Sequence, residues 1–375
     1  MAYTERYVTT SATGFGGGTS EGDSWTLDQA YANQAAGTRI NVKAGSYILV
    51  STLTANISGT ITDPIVWRGY KTTPGDMDGK PTSTAVPSTD IPLLSISGDN
   101  IYVLTDGDYQ RHSNFAFTGA FNKPAHYCRT RYSLWENCQW TYTGTGAYQA
   151  MDATYGVYNN YLGCSFRMTD TGSVGNAVAT SFNTFVGCYF ANADTDARVI
   201  YANNSLNLLN CIISTGSTAV YNNSGSGILN YIGNTVYNTT DGFQLRTGQQ
   251  AAVCNNLFHT CTNGISTIGS TFTDMSPWAV NNAYYNVTNQ ISSYINADTG
   301  QSYAITESSD PLVDPANDDF SLADGSSSIG AGYPYQFIHA DTRQYADVGA
   351  GQRDGSAGSG GAGFKRITFN GGMTG

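Results

Sequence analysis

Two aspartates each stand six residues after a cysteine, Asp170 after Cys164 and Asp194 after Cys188. If the cysteines hold equivalent places in a repeat, the carboxylates lie one rung apart, at roughly 5 Å, the separation used in retaining glycoside hydrolysis. Arg167, Asp196, Arg198, Asp241 and Arg246 lie near them in the chain, so a charged patch on one face is expected. Ca2+ is the one cofactor such an acidic pair would take, because a hard cation prefers oxygen ligands. The competing reading of Asn192–Arg198 is a solvated turn in which Asp194 and Asp196 bond their own backbone. On that reading the catalytic candidates, Asp170, Asp194 and Arg167, do no chemistry.

Other chemistry-bearing residues are scattered. The four histidines, His112, His126, His259 and His339, show no metal-pair spacing and are expected to be structural. Most aromatic residues fit inward positions, while Tyr142, Tyr155 and Tyr158 are read as outward rings that could contact a glycan.

The elements that must position these residues are set by a repeat. A Cys or Asn followed two positions later by a large apolar residue occurs at Cys138/Trp140, Cys164/Phe166, Cys188/Phe190, Cys211/Ile213, Asn234/Val236, Asn255/Leu257 and Asn282/Tyr284. The spacings are 26, 24, 23, 23, 21 and 27 residues. That irregularity suits a β-coil with loop insertions. Residues i and i+2 of a strand share a face, so each pair projects inward and successive coils stack them about 4.8 Å apart. An Asn column bonds neighbour to neighbour through its amides, and a Cys column spread over about 15 Å is core rather than a metal centre. Asn-rich corners are expected at Val157–Asn160, Ile200–Asn204 and Val220–Asn223, because Asn tolerates the left-handed backbone of a sharp bend.

The fold class is therefore all-β, a right-handed single-stranded parallel β-helix with a short N-terminal capping segment. Residues 1–36 form the cap, 37–350 the solenoid, 351–363 a Gly/Ser-rich linker and 364–375 a C-terminal docking peptide. Within the cap, Ser24, Trp25, Leu27, Ala30 and Tyr31 have helical spacing. In the tail, Phe364, Lys365, Arg366, Ile367 and Phe369 alternate as a short strand that would add to a partner's sheet edge or fold back as a last rung.

Composition narrows the function classes. Charged residues are 12% of the chain and the formal net charge is −11, with no Lys/Arg cluster, which argues against nucleic acid. No apolar run is long enough to span a bilayer, so no membrane role is expected. Seven cysteines without a paired spacing suggest free thiols and folding in a reducing compartment, and the first residues carry no export signal.

Ala36–Tyr47 and Ser58–Tyr70, after the Trp-bearing cap, together with Ser309–Gly332 and Ala346–Gly351 near the end, resemble the opening and closing segments of pectate-lyase-like parallel β-helix proteins. Within that superfamily the chain looks most like bacteriophage virion spike or decoration proteins without a recognisable catalytic set. The resemblance implies a virion structural protein on capsid or tail, made in the host cytoplasm. Its partners would be other virion proteins, further copies of itself in a trimer and host-surface polysaccharide. Two alternatives stand beside it: a polysaccharide lyase or glycoside hydrolase of the tailspike type, and a bacterial glycan-binding surface module. Catalysis is not expected.

Overall fold

One coil shows how local chemistry builds the whole. Asn160–Leu162 is a strand, Gly163 turns the chain at φ 58°, and Cys164 points inward. Ser165–Met168 is a second strand, and after a loop Val178–Thr180 is a third. Phe182, at φ 53°, then turns the chain into Asn183–Val186, which pairs in parallel with Asn160–Leu162. Phe166 and Met168 are buried while Arg167 between them faces out, the alternation that a pleated strand imposes.

The computed structural model describes residues 2–12, 16–78, 89–120, 122–144, 146–172, 175–224, 227–246, 250–268, 278–291, 302–332 and 347–350. Repetition of the coil gives a parallel solenoid with three columns of strands. The first column has eleven, from Thr4–Val8 to Trp278–Val280. The second runs from Gly45–Leu49 to Ile305–Thr306 and the third from Leu53–Ala55 to Asn289–Ile291. Thr235–Arg246 and Leu257–Ile268 bend through both, joining them into one sheet.

The core lies inside the three columns. Along the second, Phe117, Trp140, Phe166, Phe190, Ile213, Val236, Phe258 and Tyr284 are successive register partners. Rings stack at 5.4, 4.8 and 5.0 Å between centroids from Phe117 to Phe190. Burying each such ring stabilises the fold by about 1.5–3 kcal/mol.

The thiol and amide column runs beside this row with one correction. Cys138, Cys164, Cys188, Cys211, Asn234 and Asn282 are inward and buried as expected, but the rung between the last two is Asn256, with Phe258 as its apolar partner. Asn255 is instead the turn residue, at φ 57°, matching Gly163, Gly187, Asn210, Gly233 and Asn281. Backbone N–H groups of Cys211, Asn234 and Asn256 each donate to the next coil's Asn Oδ1 at 2.9 Å. Every cysteine is a free thiol and buried.

The segment 1–36 supplies both a cap and the first strand. Leu27–Ala32 is a helix closed by a Thr26/Gln29 capping box, burying Leu27, Ala30 and Tyr31, with Tyr31 4.6 Å from Trp67. Thr4–Val8 already pairs with Thr38–Lys43. Of the expected corners, Val157–Asn160 holds the bend, with Tyr158 at φ 60°. Ile200 and Val220 lie inside strands Arg198–Ala202 and Thr218–Asn222, so those bends begin later. The linker and docking peptide, including Phe364, Lys365, Arg366, Ile367 and Phe369, lie outside the described residues.

A closing segment crosses the outside of the second column. Leu312–Asp314 and Asp319–Leu322 form an antiparallel pair whose Leu312, Phe320 and Leu322 cover Tyr189, Ile212, Leu257 and Ala283, with Val348 and Ala350 completing the cluster. Among the described residues, no helix is long and apolar enough to cross a membrane.

Candidate functional surface on the third column

Asp170 and Asp194 each lie two residues beyond the register pair Met168 and Asn192, on adjacent coils, and each catalytic candidate has a partner of its own. Asp194 is buried; its Oδ1 accepts the Asp196 N–H at 2.8 Å, and its own N–H donates to Asn192 Oδ1 at 3.1 Å. Asp170 accepts the Gly172 N–H at 2.8 Å. Both carboxylates thus close their own turns. Arg167 pairs with Asp318 at 3.1 Å and lies 4.3 Å over the Tyr189 ring, whose hydroxyl donates to the same carboxylate at 2.8 Å. It anchors the closing segment. Among the described residues, no group of three or more His, Cys, Asp or Glu is placed to hold a metal ion.

The tyrosines divide. Tyr142 is fully buried, not outward, because it shares the parity of inward Trp140 two residues before it. Tyr155 and Tyr158 are 72% and 54% exposed. They edge a surface on the third column, whereas the described residues of the closing segment pack on the second. Its outward row reads Tyr127, Asp152, Ala179, Tyr201, Tyr221 and Gln244. Arg129 lies 5.6 Å from the ring centres of both Tyr127 and Tyr155. Farther along, Tyr201 and Tyr221 stack at 5.8 Å with the Arg198 guanidinium 3.6 Å over Tyr221. Asp241 accepts from Gln244 and Asn263, each at 2.7 Å. Burial, then the neighbouring Asp152 carboxylate, raises the Tyr127 phenol.

Sequence reading missed Tyr127, Arg129, Tyr201 and Tyr221. Parity was the available signal, since Tyr127 sits between buried His126 and Cys128, and Tyr201 between buried Ile200 and Ala202. Rings, guanidinium groups, carboxylates and amides on one open face can stack on and hydrogen-bond a polyhydroxylated ligand.

No protein-family model matches this sequence, and no curated protein does. Solved structures do. The pectate lyase Pel9A superposes with a TM-score of 0.59 at 17% identity, over 93% of this chain and 96% of that one. The fold is the pectate-lyase-like right-handed parallel β-helix. A rhamnogalacturonan lyase matches at 0.52 and 12% identity, over 80% and 86% of the two chains. At such identities the likeness is one of fold.

At its C-terminal end the β-helix has a small hollow lined by Tyr284, Asn286, Val287, Thr288, Gln290, Thr306 and Glu307. Glu307 accepts from Ser326 Oγ at 2.9 Å, Ser327 N at 3.0 Å, and Ser328 N and Oγ at 2.7 and 2.6 Å. That carboxylate clamps the chain reversal beside the last coil.

Proposed function

We propose that this β-helix binds polysaccharide on the open face of its third column and does not cleave it. The observation that carries the reading is exposed Arg129, its guanidinium 5.6 Å from the ring centres of both Tyr127 and exposed Tyr155, with no ion pair among the described residues. Arg198 on Tyr221 repeats the arrangement. The solved structures of similar fold include polysaccharide lyases, which supports a carbohydrate ligand. Asp170, Asp194 and Arg167 are engaged in turns and in anchoring, which favours binding over turnover.

The setting we propose is the surface of a bacteriophage particle, as a spike or decoration protein. The seven buried free thiols support folding in a reducing cytoplasm before assembly. Retention on immobilised plant, algal and bacterial polysaccharides tests the reading: wild type should be held, and Arg129→Ala and Tyr155→Ala should elute early. Release of unsaturated or reducing ends by the wild type would replace it with the lyase or hydrolase reading.

A further inference from the structure

Left-handed residues recur at all three corners of the β-helix, and the corners fill them differently; between the second and third columns they are Thr215, Asn238, Thr260 and Asn286. Before the second column the residues are Asn114, Asn137, Gly163, Gly187, Asn210, Gly233, Asn255 and Asn281, which accept that backbone readily, and then Tyr303 on the last described coil. After the third column they are Tyr109, Tyr132, Tyr158 and Phe182, at φ 53°, 57°, 60° and 53°. The residue after each makes the same ladder in both places. Gln110 N donates to Ser133 Oγ, Ser133 N to Asn159 Oδ1 and Asn159 N to Asn183 Oδ1, at 3.1, 3.0 and 2.9 Å. The backbone asks the same of these two corners, yet aromatic rings fill four consecutive coils after the third column and only the last described coil, at Tyr303, before the second.

Those rings are not core. Tyr132, Tyr158 and Phe182 are 52%, 54% and 37% exposed, and Tyr109 is half-buried. They form one column along the solenoid axis, with centroids 5.3, 5.6 and 5.9 Å apart. An aromatic side chain in a strained conformation, repeated on consecutive coils and left in solvent, points to a ligand rather than to folding. Tyr155, three residues before Tyr158 in the chain, lies 5.6 Å from Arg129, and Arg131, next to Tyr132 in the chain, pairs with Asp108 at 2.8 Å.

We infer that this corner column binds one extended, linear glycan lying parallel to the solenoid axis, one sugar unit per coil. The inference rests on the polysaccharide-binding reading of the third column and extends it to a second strip and a direction. Tyr109, Tyr132 and Tyr158 stack on one another and offer ring edges and phenol hydroxyls, and the tilted Phe182 ring adds an apolar end, each a weak contact with sugar C–H and O–H groups. Useful affinity then requires a ligand that meets every rung at once, with a repeat close to the ring spacing, as an extended pyranose chain has.

The test is a titration of the full chain with galacturonan and β-linked glucan oligomers, from disaccharide to octasaccharide, using wild type, Tyr132→Asn and Tyr158→Asn. Asn suits the left-handed backbone, and melting curves establish that the variants are folded. Affinity is expected to rise with length until the oligomer spans the column and then level off. Each variant should weaken the longer oligomers roughly tenfold, the loss of one contact of about 1.4 kcal/mol, and leave the disaccharide unaffected. Binding that is independent of length, or unchanged in both folded variants, overturns the inference while leaving the third-column reading intact. Absence of binding by the wild type to any oligomer or parent polysaccharide removes both. A fall in sedimentation coefficient in the variants makes the column a contact between copies, and overturns the inference as well.

Discussion

The Trp140 indole N–H donates to Nδ1 of His126 at 3.0 Å. An indole nitrogen can only donate, so Nδ1 is unprotonated and Nε2–H donates to Thr105 Oγ1 at 2.9 Å. Both partners are fully buried, and the imidazole stacks on Phe117 at 5.0 Å. A charged imidazole has no place here. Burial holds His126 down to about 3, and burial followed by the nearby His126 holds His112 well below its usual value.

That depression makes stability fall in mild acid. Below the unfolded value of 6.5 the unfolded chain takes up a proton that folded His126 refuses. Stability is therefore full above pH 6.5 and is lost as pH drops toward 3, at about 1.4 kcal/mol per pH unit for this imidazole. By pH 5 the loss is about 2 kcal/mol from His126 alone. Urea denaturation of wild type and His126→Phe at pH 7 and pH 5 measures it. Equal losses in the two proteins would remove His126 as the cause.

The amide ladder should be sensitive at one Asn and tolerant at its neighbour. Asn256 Oδ1 accepts the Asn234 N–H and Nδ2 at 2.9 Å each, and its own Nδ2 donates to Tyr231 O at 2.8 Å. Asn256→Ala leaves these buried groups unpaired and should cost about 3–5 kcal/mol. Asn255→Gly keeps the left-handed turn and should change stability by less than about 1 kcal/mol. Thermal unfolding of the two variants decides, and the reverse order would restore Asn255 to the ladder.

Ring stacking in the second column should dominate over surface charge. Phe190 is fully buried, 5.0 Å from Phe166 and 5.3 Å from Phe185, so Phe190→Ala should cost about 3–5 kcal/mol. Asp196 is exposed, and Asp196→Ala should stay within about 0.5 kcal/mol. A Phe190→Ala protein that melts with the wild type would contradict this packing.

The parallel coil was legible in the sequence because its signal is local: a polar or thiol residue and its apolar partner two positions on must share a face, and seven recurrences fix a solenoid. Cys164 with Phe166 and Cys188 with Phe190 are paired by spacing alone. Where two candidates adjoin, local pattern is silent. Asn255–Leu257 and Asn256–Phe258 both satisfy the motif, and only parallel pairing of Val236 with Phe258 chose between them. Tyr142 points inward, as its parity with Trp140 requires. Long-range contact decided the candidate site. The Asp318 carboxylate reaches Arg167 across 151 residues and ties the closing segment to the second column, a contact no local spacing announces. Likewise, Tyr109, Tyr132, Tyr158 and Phe182 share no short spacing, and become one column only because hydrogen-bonded strands bring successive coils into register.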